Sequence, residues 1–481
     1  MSETLKSKTT KGFIWSAVEN FSIQAIQFVF GLIMARILTP HDYGLVGMLV
    51  VFIAIGQTFT ESGFANALIQ NQKRTEVDYS TAFYFNIVVG VLSYLILFVL
   101  APFIASFYGL PQLEILTRVL MFVLIINSFS VVQRAQFTIN LDFKKQAQAT
   151  VKSVFISGVI GIVVAYFGGG VWSLVIQLLS RNFLNVIFLW YYSKWRPVRA
   201  FSWESFKGMW SFGYKLLCSG LLDTLYKNIY QLLIGKFFSS SDLGNYTRAQ
   251  QFAVFPSINL TSIHQRVAYP ILSSIQDNSE RLSILFLRYL RLAAFVAFPL
   301  MIGLSALAEP LILSVLTKKW EGAIVLLQII CFSLMWHPVQ TINLNVLKVK
   351  ARTDLYLKLE IYSKIIGLSL LVLSLPFGLY AMCISGVFSM IFSCLINSYY
   401  VGKEIGVGMI KQIKVLLPIF FSSLIMGAVV FKGVSFIDCQ LLKLFAGVIL
   451  GVVVYLLLSY IICKESLDDL LFILKRKVKQ S

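Results

Sequence analysis

The sequence predicts an all-α integral membrane protein of about fourteen transmembrane helices, arranged as two six-helix lobes in pseudo-two-fold arrangement plus two extra C-terminal helices. Three observations carry this. The 481 residues are 58% hydrophobic and 13% charged, where a soluble domain is about half apolar and about a quarter charged. Apolar runs of about 20 residues, the length that crosses a bilayer, recur from one end to the other. The chain also repeats itself at an offset of 200 residues. A soluble multidomain enzyme is excluded.

In order, the expected spans are 12–35, 43–70, 78–106, 113–140, 146–167, 171–193, 207–237, 242–275, 282–307, 321–347, 354–375, 378–402, 411–431 and 441–463. The first reads as a full span rather than a cleavable signal peptide, because no small-residue cleavage site follows its apolar run. No loop is long enough to fold as a domain. The longest candidates are the basic stretch Lys194 to Lys207 and the tail after Cys463.

Charge sets the expected orientation. The chain carries 41 Lys and Arg against 22 Asp and Glu, a net +19. If the N-terminus is cytoplasmic, 26 of the 41 bases fall in inside segments and 7 in outside ones. That bias predicts both termini on the cytoplasmic side. The excess then needs no nucleic acid to explain it, and the basic run Lys475 to Lys479 reads as an anchor to anionic headgroups. The other 8 bases, Arg181, Lys215, Lys227, Arg248, Arg266, Arg288, Arg291 and Lys364, lie within or at the ends of spans.

The repeat aligns Ile33 to Gly44 with Leu233 to Gly244. In each copy a base (Arg36, Lys236) ends one helix, and turn residues lead to an Asp (Asp42, Asp242) placed to cap the next. A weaker echo links Gln133–Asn140 with Gln340–Leu347. Residues 1–200 are therefore expected to form an N-terminal lobe (helices 1–6), 201–402 a C-terminal lobe (helices 7–12), and 403–481 helices 13 and 14 with a basic cytoplasmic tail. An even number of spans per repeat gives two lobes running in the same direction, related by an axis along the membrane normal.

The segments Ala35-Arg36-Ile37-Leu38-Thr39-Pro40-His41-Asp42-Tyr43-Gly44 and Glu61-Ser62-Gly63-Phe64-Ala65-Asn66-Ala67-Leu68-Ile69-Gln70, with the span count and the repeat, resemble bacterial polysaccharide export flippases. These form the lipopolysaccharide and exopolysaccharide branch of the multidrug/oligosaccharidyl-lipid/polysaccharide exporter superfamily. The resemblance runs over essentially the whole chain. It implies movement of an undecaprenyl-pyrophosphate-linked oligosaccharide from the cytoplasmic to the periplasmic leaflet of the bacterial inner membrane, by alternating access between lobes. The partners it implies are that lipid-linked substrate, membrane lipids, and a polysaccharide polymerase with its export machinery.

Charged side chains are costly at mid-bilayer and normally face a cavity or a partner. Lys215, Ser219, Asp223, Lys227 and Gln231 recur every four residues, one polar stripe on the seventh span. Either it is a cationic wall along a substrate path, or Asp223 neutralises Lys227 and the pair packs between helices. On the eighth span Arg248, Gln251, Asn259, Ser262 and Arg266 lie close to one face. They form either two basic levels that pass a pyrophosphate along or snorkelling residues at the two interfaces. Arg181 is a lone base on the sixth span. In the first lobe Ser16, Asn20, Gln24 and Gln27 form a neutral stripe suited to a sugar or to helix contacts. Glu61 is placed to couple an ion, to pair with a base such as Arg134, or to sit at the interface. Tyr226 and Tyr230 flank the seventh-span stripe as candidates to stack on sugar rings.

The six cysteines are scattered without CxxC spacing, and His264 and His337 lack metal partners at helical spacing, so no disulfide, metal or cofactor is expected. The chain reads as a transporter rather than an enzyme. Two alternatives stand beside a flippase. A cation-coupled drug or metabolite exporter of the same superfamily would rely on cavity acids, and Asp223 is a single mid-span acid. A membrane polysaccharide polymerase would be expected to carry a long outside loop.

Overall fold

The computed structural model describes residues 22–61 and 63–469, excepting the side chains of residues 263, 264, 266 and 267. Asn20, the side chains of Arg266 and His264, and the basic run 475–479 therefore lie outside the described residues.

Every long described element is an α-helix, and no strand occurs among the described residues. In chain order they are α1 (Ser22–Ile37), α2 (Pro40–Glu61), α3 (Phe64–Gln70), α4 (Glu76–Tyr108), α5 (Gln112–Leu120), α6 (Phe122–Ser128), α7 (Val131–Ile139), α8 (Phe143–Tyr166), α9 (Val171–Tyr192), α10 (Trp203–Phe237), α11 (Ser240–Ser273), α12 (Ser279–Ala306), α13 (Ala308–Val315), α14 (Ala323–Leu334), α15 (His337–Val349), α16 (Thr353–Ser374), α17 (Leu379–Ile405), α18 (Met409–Val434) and α19 (Gln440–Ile462). Among the described residues, 11 helical segments are long and apolar enough to cross a membrane. This is a multi-pass membrane protein, as the sequence predicts. The helices α10 and α11, with 35 and 34 residues, are long enough but more polar. They are the two that carry the expected basic stripes.

Helix boundaries follow the expected spans, with informative breaks. The span expected at 43–70 is two helices, α2 and α3. Gly63 takes a left-handed conformation at φ 73°, and a Cβ there would lie 2.8 Å from the Cα of Gly213 on α10. Only glycine permits both the turn and the approach. The span expected at 113–140 is three short helices, α5 to α7. Around its second break the hydroxyls of Ser128 and Ser130 donate to the carbonyls of Ile125 and Asn127 at 2.7 and 2.9 Å, competing with the helical ladder. The span expected at 321–347 breaks between α14 and α15, where Pro338 enters the first turn of α15 without an N–H to donate. Helix α13 was not expected, because eight residues are too few to register as a span.

The chain divides into two compact units, Met1–Gly244 and Asn245–Ser481. In the first, the segment before α10 is fastened to the start of α4. Trp195 Nε1 donates to Glu76 Oε2 at 2.7 Å, the Val198 amide to Ser80 Oγ at 2.9 Å and the Ser202 amide to Thr81 Oγ1 at 3.0 Å. Ser80 and Thr81 are fully buried. Behind them Phe64, Phe83, Trp195 and Met209 share one apolar core. The basic stretch that reads as a loop in sequence is thus part of the packed first unit.

The two repeat copies meet within this unit. Helix α2 starts with a capping box, in which Thr39 N and Oγ1 donate to Asp42 Oδ2 at 2.9 and 2.6 Å. Helix α11 starts the same way, with Ser239 N and Oγ donating to Asp242 Oδ2 at 3.1 and 2.7 Å. Each Asp therefore sits at the third helical position and reaches back, with Thr39 and Ser239 as the caps themselves. The copies touch reciprocally. A Cβ on Gly44 would lie 1.7 Å from the Ser240 carbonyl oxygen, and one on Gly244 would lie 1.9 Å from the Pro40 carbonyl oxygen. His41 closes the joint. With Gln112 Nε2 donating to its Nε2 at 3.1 Å, its Nδ1–H donates to Ser240 Oγ at 2.5 Å.

Candidate functional site

The first unit brings an arginine of α7 and an arginine of α9 near each other. Arg181 and Asn185 are one helical turn apart. Arg134, from α7, donates from Nη2 to Asn185 Oδ1 at 2.8 Å, and Asn185 Nδ2 donates to Thr150 Oγ1 on α8 at 3.4 Å. Gln27 of α1, its amide oriented so that the oxygen meets donors, accepts two hydrogen bonds from Arg181 at 2.6 and 3.0 Å. The two guanidinium groups lie within electrostatic reach of each other. Arg181 is half-buried and Asn185 is 5% exposed. A neutral amide thus meets each guanidinium without cancelling its charge, Gln27 on Arg181 and Asn185 on Arg134, an arrangement suited to an anion.

Arg181 remains the one base of its own helix, with Arg134 reaching it from α7. Asn185 is the residue that sequence reading missed, although its spacing of four from Arg181 could have shown it. Gln27 extends the neutral first-span stripe to the arginine. Gln24, also on α1, is half-buried, and Glu61, at the end of α2, is exposed.

On α10 the expected stripe is present. Lys227 Nζ pairs with Asp223 Oδ2 at 2.6 Å, yet the lysine side chain remains 69% exposed and the aspartate 46%. The pair forms, and the ammonium stays accessible. Lys215 and Ser219, two and one turns before Asp223, are exposed on the same stripe, and Tyr226 and Tyr230 beside it are half-buried.

In the second unit, Arg248 on α11 is 7% exposed. Its Nη1 donates to Gln251 Oε1 at 2.6 Å, and its guanidinium carbon lies 5.7 Å from the ring centre of Trp320, which is fully buried. A cation over an indole face is favourable, so Arg248 sits in a packed aromatic setting. Asn259 Nδ2 donates to its own helix at Phe255 O, 2.8 Å away. His337 Nδ1 lies 3.0 Å from Thr261 Oγ1. Arg288 and Arg291 on α12 meet Asp469 at 2.8 and 2.7 Å, which accounts for two more of the bases within spans.

Comparison with known proteins adds the family and the fold. Residues 33–325 match the family model described as "Polysaccharide biosynthesis protein". The chain is 26% identical over 361 residues to the lipopolysaccharide biosynthesis protein WzxC of Escherichia coli K12, covering 75% of this chain and 73% of that one. It is 28% identical over 355 residues to the teichuronic acid biosynthesis protein TuaB of Bacillus subtilis 168, covering 73% of each. Among solved structures, the lipid II flippase MurJ in an inward closed conformation superposes with a TM-score of 0.74 at 13% identity, over 94% of this chain and 99% of that one.

Proposed function

The chain belongs to the polysaccharide biosynthesis protein family, and we propose that it translocates an undecaprenyl-pyrophosphate-linked oligosaccharide from the cytoplasmic to the periplasmic leaflet by alternating access. The observation that carries this reading is the polarity of the membrane helices of the first unit. Two guanidinium groups stand on amides, one at the α7–α9 contact and one at the α1–α9 contact, and two lysines line α10. Helices in lipid carry intramembrane charge only where a cavity or partner meets it, and a surplus of bases selects an anionic cargo. A pyrophosphate presents several anionic oxygens to such groups, and Arg grips them bidentately. In this reading Arg181 and Arg134 hold the pyrophosphate, and Lys215 and Lys227 carry it along α10. Arg248 and Arg266 serve the same charge from the second unit, with Asn259, Gln24 and Asn20 as polar neighbours of the path. Asp223 tempers Lys227 so that the cargo can leave, and Tyr226 and Tyr230 offer ring faces to the sugars. The lobes 1–200 and 201–402 are the bodies that would move.

The protein then sits in the bacterial inner membrane with both termini cytoplasmic, as the bias of 26 inside bases against 7 outside supports. It performs no bond chemistry. It delivers its cargo to a polysaccharide polymerase and the export machinery on the far side.

Depleting the protein in a cell that depends on it tests the reading. Lipid-linked oligosaccharide is expected to accumulate on the cytoplasmic leaflet while surface polysaccharide disappears. Loss of surface polysaccharide with completed single units on the periplasmic leaflet would instead make the protein a polymerase.

A further inference from the structure

Resting on the flippase reading, we propose that a cavity of the first unit, distinct from the basic groups above, is a saccharide subsite that reads the sugar portion of the lipid-linked cargo. The cavity holds about 440 Å³ and is lined by Gln70, Asn71, Gln72, Asp78, Ser205 and Phe212, with Ala67, Gly208 and Met209 completing its walls. That volume lies within the roughly 300 to 1,000 Å³ of small-molecule sites.

The lining chemistry is that of a sugar site and not of a phosphate site. It contains three primary amides, one carboxylate and one hydroxyl, and no Lys or Arg. Planar amides and a carboxylate donate to and accept from neighbouring hydroxyls, whereas the Asp78 carboxylate repels a phosphate. Phe212 and Met209 offer an apolar wall to the C–H face of a ring. The polar groups also have capacity to spare. Asp78 Oδ2 is used by the Thr75 capping box at 2.7 Å, and no described hydrogen bond uses Oδ1. The Gln70 and Gln72 side chains make no hydrogen bond among the described residues.

The frame is built rather than incidental. The loop before α4 is held by Arg74 Nη1, which donates to the Asn71 carbonyl at 2.9 Å. The start of α10 is held by Ser202, whose Oγ accepts from the Ser205 amide at 3.2 Å, and by the fastening of the Ser202 amide to Thr81. Phe206 and Trp210 stack at 6.0 Å along the same helix. Gly208, on the cavity wall, has nothing within 4 Å of where a Cβ would stand. Its missing side chain is open volume. Lys73, Arg74 and Lys207 mark this as the base-rich end of the helices, the side on which the positive-inside rule places the cytoplasm and from which the cargo loads.

The test measures binding by the full-length purified protein of two probes. One is undecaprenyl pyrophosphate. The other is the lipid-linked oligosaccharide extracted from the native cell after depletion of this protein. The wild type is expected to prefer the glycan-bearing lipid by about tenfold, the worth of one or two net hydrogen bonds. Gly208→Phe, which adds a ring on the cavity wall at a Cβ position with nothing within 4 Å, is expected to bring the ratio close to one, and Gln72→Ala to lower it. Equal binding of both probes by the wild type, or an unchanged ratio in a folded Gly208→Phe protein, would overturn the saccharide subsite while leaving the flippase reading standing. Failure of the wild type to bind either probe would overturn both.

Discussion

Gly244→Val is expected to abolish surface polysaccharide in cells that depend on this protein. The position leaves a side chain nowhere to go, since the Cβ alone would stand 1.9 Å from the Pro40 carbonyl oxygen. Ordinary overpacking costs about 1 to 3 kcal/mol because side chains shift rotamer to relieve it. Here the obstacle is backbone, so the first turn of α2 and residues 240–244 have to separate. Separation breaks the reciprocal contact at Gly44 and pulls Ser240 away from His41 Nδ1. Close helix approach at small residues is a main source of adhesion in lipid, where burial of apolar surface supplies little. Gly44→Val is expected to behave identically, its Cβ meeting the Ser240 carbonyl at 1.7 Å. Thermal unfolding of the purified variants in detergent and immunoblots of membranes check both. A Gly244→Val protein as stable as wild type, with normal glycan, would show that the two copies of the repeat need not touch.

The second large effect is expected at Arg181. Removing one charged hydrogen-bonding partner costs about 1.5 to 3 kcal/mol, which is about ten- to a hundredfold in affinity. Arg181→Gln should therefore weaken binding of undecaprenyl pyrophosphate by that factor and leave binding of uncharged undecaprenol as it was. Arg181→Lys should recover part of the loss, because it restores the charge without the planar fork. Gln is the chosen replacement because it can still bond with Gln27, which keeps the α1–α9 contact polar and satisfied. Unchanged pyrophosphate affinity in Arg181→Gln would remove this arginine from the cargo's path and leave it a packing residue.

How far the residues announced this protein depends on the range of the physics involved. Spans are legible because each is a local run of apolar side chains. The starts of α2 and α11 are legible because a cap is settled within four residues, and their likeness across 200 residues exposed the repeat, although the sequence reads Asp42 and Asp242 as the caps where Thr39 and Ser239 hold that place. The Asp223–Lys227 pair is likewise one helical turn of geometry. What lay beyond reach was set by distant partners. Nothing near Arg134 in the chain points to Asn185, 51 residues away. Nothing near Ser202 points to Thr81, 121 residues away, so the basic stretch before α10 read as a loop when it is pinned to α4. The break at Gly63 belongs to the same class, since its necessity comes from Gly213 crossing behind it. The buried setting of Arg248 depends on Trp320, which its own helix cannot show.

A flippase of the proposed kind moves a lipid-linked saccharide across a bilayer without altering it. The most direct measurement reconstitutes the purified protein into liposomes whose inner and outer leaflets both carry the lipid-linked oligosaccharide, and follows how much of it an externally added, membrane-impermeant glycosidase can reach. With an active flippase the accessible fraction should rise from about half toward completion as inner-leaflet molecules cross, with Arg181→Gln liposomes lagging and the glycan length unchanged. Accessibility that stays at the outer-leaflet fraction with wild-type protein, or glycan chains that lengthen during the incubation, would contradict the account.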